Sequence, residues 1–148
     1  MRISTKGKYG LAAMVYLGEK ENSPDPVTIA TISGELNISK IYLEQIFSLL
    51  KKQNLVSSVK GSQGGYFLSK RTEDITILMI LQSIETGLFE KTESFLSNNY
   101  SHIGISLNQL VWEKLDLAVI ETLKNTTLKD LVETSHKNMK NSASMFYI

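Results

Sequence analysis

The sequence of this 148-residue chain predicts a mainly α fold carrying one small β-hairpin. Three observations predict it. Apolar residues recur at helical spacing in several segments divided by Pro, Asn and Gly signals. Two of those segments lie about three residues apart, the spacing of a helix-turn-helix. A β-branched run and an aromatic run then flank the glycine-rich stretch KGSQGGYFLSK, residues 60–70, and read as a hairpin. A helix-turn-helix followed by a hairpin is a winged helix, and a long helix after it suits dimerisation.

The elements follow in order. Residues 4–21 open with Ser4 and Thr5 as N-cap candidates, and Leu11, Met14, Val15 and Leu17 with Ala12 and Ala13 give helical spacing. Pro24 and Pro26 stop this helix near Asn22. Thr28 starts a second helix with the stripe Ile29, Ile32 and Leu36, and Asn37 ends it. Ser39 caps a third, residues 40–53, in which Leu43, Ile46, Phe47 and Leu50 follow the i, i+3, i+4, i+7 rule. LVSSV (55–59) and YFLS (66–69) are the two strands. A phosphate-cradling loop would need a helix directly after its glycines, and here a strand follows. The glycines are expected to supply positive φ for a tight tip.

Residues 75–87 form an apolar helix with Thr76 as its cap. Ile77 to Leu81 are apolar nearly all round, so the helix needs cover from the hairpin and from a second subunit. Residues 88–105 read as a turn-rich loop with one short helical piece. Ser106 begins a long helix, 107–125, with two apolar stripes. One runs through Leu107, Leu110, Val111, Lys114, Leu117, Ala118 and Glu121, the other through Trp112, Leu115, Val119 and Leu123. Thr127 starts a last helix, the polar run HKNMKNSAS follows, and MFYI closes the chain. The organisation expected is a winged helix-turn-helix domain over 1–87, then a linker, dimerisation helix and tail over 88–148.

Composition narrows the function. No cysteine is present, which excludes disulfides, thiol catalysis and Cys-ligated clusters. His102 and His136 stand far apart without ligand spacing, so no metal site is expected. No G-x-S-x-G, H-E-x-x-H or paired-acid pattern suggests an enzyme. No run approaches the roughly 18 apolar residues of a membrane span. MRISTKGKYG holds no signal-peptide core, and the expected location is the cytoplasm. Residues 1–71 carry ten Lys/Arg against five Asp/Glu, whereas residues 72–148 carry six against ten. A basic front and an acidic rear suggest that one end meets an anion, and nucleic acid is the obvious candidate.

The polar face of the third helix sharpens this. Ile41, Glu44, Gln45, Ser48 and Lys52 point away from the apolar stripe, with Lys40 and Tyr42 at its N-terminal end. A recognition helix sets its N-terminal residues against base edges in the major groove, where Gln pairs with adenine and Glu accepts from cytosine. Ser39, the basic residues Lys6 and Lys8, and the wing residues Lys60, Ser62 and Gln63 complete the DNA-binding set.

Three stretches resemble a known family: MRISTKGKYGL at the start, ISKIYLEQIFSLLKKQNLVSSVKGSQGGYFLSK in the middle and TTLKDL near the end. They are similar to the Rrf-type winged-helix transcription regulators. That resemblance implies a homodimer joined through the long helix, reading a pseudo-palindromic operator in double-stranded DNA with recognition helix and wing. It places Glu44 and Gln45 in the base-reading helix. Lys60 stands where many members carry Arg, and Ser62-Gln63 where Pro-Gly is more usual, which implies a different operator. Cluster-binding members keep three cysteines within the region of 88–105. Their absence here implies a regulator without an iron–sulfur cluster or other cofactor, most like the cysteine-metabolism repressor of the family. ISTKGKYGL and MFYI carry that finer match.

That finer match makes cysteine synthase a partner. Met145, Phe146, Tyr147 and Ile148 form an apolar tip after a polar spacer, and the Ile148 carboxylate would mimic the amino-acid substrate in the synthase active site. O-acetylserine would compete for that pocket and weaken repression. Two other readings stay open. One is a cluster-free regulator with a small ligand in the dimer cleft. The other is a protein-interaction module that no longer binds DNA.

Overall fold

The computed structural model describes residues 3–62, 64–93 and 95–146, the last two of them by backbone alone. Helix α1 spans Thr5–Glu19, and the Ser4 hydroxyl caps it by accepting from the Gly7 N–H. Helix α2, Ile29–Leu36, is capped by Thr28, whose side chain accepts from the Thr31 N–H. Asn37 ends α2 in the left-handed region at φ 54°. The turn to the next helix is tied by the Ser33 hydroxyl, which donates to the Ile38 carbonyl at 2.7 Å. Helix α3 is Lys40–Lys52. Ser39 occupies its N-cap position but makes no side-chain capping bond, contrary to expectation.

The wing is the expected two-stranded hairpin, with one isolated bridge added at its edge. Strands β1, Val56–Val59, and β2, Gly65–Leu68, pair antiparallel with Val56 opposite Leu68 and Val59 opposite Gly65. Val27, just before α2, bridges the free edge of β2: its N–H donates to the Tyr66 carbonyl at 3.0 Å and its carbonyl accepts from the Tyr66 N–H at 2.7 Å. Of the wing glycines with described geometry, Gly61 alone takes positive φ, at 117°. Gly65 serves close approach instead, because a Cβ there would run into the Val27 carbonyl group. Period-2 alternation could not reveal a one-residue bridge from a distant segment.

Helix α4 is Ile77–Ile84, shorter than expected, with Thr76 as its cap. It packs against α1, α3 and, further on, α6, which supply the cover expected of the hairpin and a second subunit. Gly10 lets α1 approach it, since a Cβ at that position would meet the Ile84 side chain. After a 3₁₀ turn at Asn98–Tyr100, helix starts at Ser101, earlier than the expected Ser106. Helix α5, Ser101–Leu107, passes through a π-helical segment, Asn108–Trp112, into α6, Glu113–Lys124. The last helix, α7, is Leu128–Phe146, so the polar run before MFYI is helical and not an extended spacer.

One core joins these parts. Met14, Leu17, Ile32, Leu43, Ile46, Phe47, Leu50, Ile75, Ile80 and Leu81 are fully enclosed. Leu128 of α7 is enclosed with them. The Leu128 N–H donates to the Ile75 carbonyl at 2.8 Å, and the Ile77 N–H to the Thr126 carbonyl at 3.0 Å. Segment 126–135 therefore returns to the N-terminal core, and α7 lies along α1. Gly18 permits that contact, since a Cβ there would crowd Val132.

Candidate nucleic-acid interface

The apolar stripe of α3 faces inward, which forces its polar face outward. Leu43, Ile46, Phe47 and Leu50 are buried. Lys40, Ile41, Tyr42, Glu44, Gln45, Ser48 and Lys52 are all exposed, Ile41 to 68% and Tyr42 to 42%. Two large apolar side chains held in water at one helix end are costly unless a partner covers them. Ser39 is exposed at the same end, and its hydroxyl makes no capping bond.

Helix α1 brings its basic residues to this face. Half-buried Lys6 lines a shallow depression with Glu44, Gln45, Ser48 and Leu49. Lys8 is exposed on α1 outside that depression. The start of α1 is held by Glu85, whose Oε1 accepts from the Ser4 N–H at 2.9 Å and hydroxyl at 2.7 Å. The wing follows α3 in the chain. Lys60 and Ser62 are exposed in its turn, where the Gly64 N–H donates to the Gly61 carbonyl at 3.0 Å. Gln63 lies outside the described residues. A second hollow, between the wing and the start of α2, is lined by Lys60, Gly61, Val59 and Thr28.

Two contacts in this region were not anticipated. Tyr9 meets Tyr42 edge to face with ring centroids 5.8 Å apart, which fixes the exposed ring at the tip of the recognition helix. Lys51 Nζ donates to the Ser58 hydroxyl at 2.7 Å and links α3 to β1. The pair Lys51-Lys52 at a helix end could have hinted at this, because adjacent helical residues diverge by about 100° and only one can face the wing. At the far end of the chain, Met145 and Phe146 close α7 in backbone description, while Tyr147 and Ile148 lie outside the described residues.

A basic, exposed helix face flanked by a β-turn is built to lie along a duplex, with cations toward phosphates and polar side chains toward base edges. The family model Rrf2, described as an iron-dependent transcriptional regulator, matches residues 3–134.

The chain belongs to the Rrf2 family of transcriptional regulators.

It is 35% identical to the HTH-type transcriptional regulator CymR of Bacillus subtilis, over the full length of both chains. The solved structure of B. subtilis CymR, described as the global cysteine regulator, superposes with a TM-score of 0.75 and 34% identity, covering 90% of this chain and 98% of that one. The T. potens IscR structure gives a TM-score of 0.70 at 33% identity, covering 91% and 88%. As an Rrf2 member with this face, the protein is a DNA-binding transcription regulator with a winged helix-turn-helix fold. The Rrf2 description includes iron. The chain has no cysteine, and the described residues bring together no group of three or more His, Cys, Asp or Glu side chains that could hold a metal. A thiolate-held iron–sulfur cluster does not fit this Rrf2 chain. No helix among the described residues is long and apolar enough to cross a membrane.

Proposed function

We propose that the protein is a homodimeric, sequence-specific repressor of cysteine and sulfur metabolism genes, working in the cytoplasm without an iron–sulfur cluster or other cofactor. The exposed face of α3, with Lys6 beside it, carries the DNA-binding part of this reading. Dimerisation is supported by the long helix. Leu110 and Leu117 of one stripe and Leu115 of the other are 66%, 60% and 55% exposed, apolar side chains that a second copy would cover. The sulfur assignment is supported by the full-length similarity to CymR. The test is a salt series of binding to DNA from upstream of cysteine-metabolism genes of the same organism, against scrambled duplex. Specific binding with a steep salt slope supports the reading, and equal binding to both duplexes overturns it.

Regulation through cysteine synthase is part of this proposal. The apolar stretch Met145–Ile148 after the polar surface of α7 supports a tail that docks in an amino-acid site. Titrating the full chain, and a form lacking Tyr147 and Ile148, into cysteine synthase while following pyridoxal fluorescence tests it. A signal from the full chain alone, reversed by O-acetylserine, supports the docked tail. No signal from either form removes the synthase from the mechanism.

A further inference from the structure

One unassigned pocket shares no lining residue with the exposed face of α3. Residues 92, 93 and 95–98 lie against the start of the long helix and line with it a cavity of about 370 Å³. Its apolar wall includes Phe95, Ile105 and Trp112. Its charged lining is Glu93 and Glu113, with no Lys or Arg among the lining residues. The π-helical segment Asn108–Trp112 forms part of the wall and places Asn108 beside Glu113, with Asn108 Nδ2 donating to Glu113 Oε1 at 2.6 Å. That bond orients the carboxylate. A π turn inside an otherwise α-helical run carries an extra residue per turn, a conformation found mostly where a helix lines a functional site.

We propose that this cavity is a binding site for a small organic cation with an apolar body, an amine or a quaternary ammonium compound. Phe95 and Trp112 put two aromatic rings in the lining, whose quadrupoles attract a cation, and the apolar wall takes its hydrocarbon part. Glu93 and Glu113 supply the opposite charge. An anion of the same shape would meet two carboxylates and no neutralising group. A single aromatic ring fits with room to spare, since a cavity of about 150 Å³ already holds benzene. Binding here involves none of the residues of the DNA face, so it stands or falls independently of the repressor reading.

Trp112 is the sole tryptophan of the chain and reports directly from the cavity wall. Its fluorescence is followed in the full-length protein during titration with benzylamine, benzyl alcohol and benzoate at constant pH and ionic strength. These probes share one ring and differ in charge. Benzylamine is expected to saturate the signal and to bind about tenfold more tightly than benzyl alcohol, with benzoate giving no saturable change. Glu113→Gln and Glu93→Gln are each expected to weaken benzylamine about threefold or more while leaving the thermal melt in place. Three probes with equal affinity, tightest binding by benzoate, or only a linear quenching response would overturn the proposal. So would benzylamine binding that is indifferent to both substitutions.

Discussion

Glu85, at the end of α4, grips Ser4, at the start of α1: one carboxylate oxygen accepts both the Ser4 N–H and its hydroxyl. Residues 81 apart in sequence are thereby joined at the foot of the DNA face. The carboxylate also sits where a side chain on Gly7 would go. Glu85→Ala is expected to lower stability by about 1.5–3 kcal/mol in urea unfolding, the range for a hydrogen bond to a charged group. Gly7→Ala should destabilise the wild type by crowding that carboxylate. In the Glu85→Ala background the same change should be neutral or stabilising, because alanine is the better helix former by about 1 kcal/mol. Additive losses in the double variant would show that the contact does not govern Gly7.

Gln45 stands exposed beside Lys6 and Glu44. Gln45→Ala should relax sequence preference rather than abolish binding, losing about 1–3 kcal/mol of discrimination at one base pair. Competition binding with single-base operator variants measures it. A uniform loss across all variants would place Gln45 on the phosphate backbone instead.

Lys60 is exposed at the wing, where the proposed function makes it a phosphate ligand. Lys60→Ala should weaken all duplexes alike and reduce the slope of log affinity against log salt by about 1. An unchanged slope would mean that the wing does not touch DNA.

Gly65 lies where two backbones meet. A Cβ there would come within 2.6 Å of the Val27 carbonyl oxygen, and backbone cannot rotate aside as a side chain can. Gly65→Ala should cost about 1–3 kcal/mol and detach the Val27 bridge, read as faster amide exchange at Tyr66. A change at Gly61 acts by another route, through its φ of 117°. Retained protection at Tyr66 in Gly65→Ala would show that the edge segment can shift without loss.

Asp130 and Thr127 cap α7 reciprocally. The Thr127 N–H donates to Asp130 Oδ2 at 2.9 Å, and the Asp130 N–H to the Thr127 hydroxyl at 3.1 Å. The Thr127 backbone bond foremost, then its side chain, holds the Asp130 carboxyl below its ordinary value. A carboxylate whose pKa is depressed on folding adds stability above its unfolded pKa of about 3.9 and loses it as pH falls through the folded value. Asp130→Asn should therefore lower stability at neutral pH and flatten its decline below about pH 4. An unaltered acid limb in the pH–stability curve would remove this contribution.

Much of this protein was legible before any coordinates. The helix starts at Ser4, Thr28 and Thr76 follow from hydroxyl side chains that satisfy free N–H groups within three residues, a local interaction that sequence displays. The inward stripe of α3, and with it the outward set from Lys40 to Lys52, follows from a 3.6-residue period. The start of the long helix was less legible, because SHIGIS, residues 101–106, contains glycine and β-branched residues of low helix propensity.

Sequence by itself determined most of the elements, the class and which side chains of α3 turn outward, because capping, periodicity and turn chemistry act between near neighbours. The tertiary structure alone decided the partners across distance. It brought Val27 to the edge of β2, Tyr9 to the ring of Tyr42, Glu85 to Ser4 and Leu128 into a core built mainly by the first 84 residues. Those pairings depend on how helices pack, and packing is set by the shapes of many side chains at once, which no local pattern encodes.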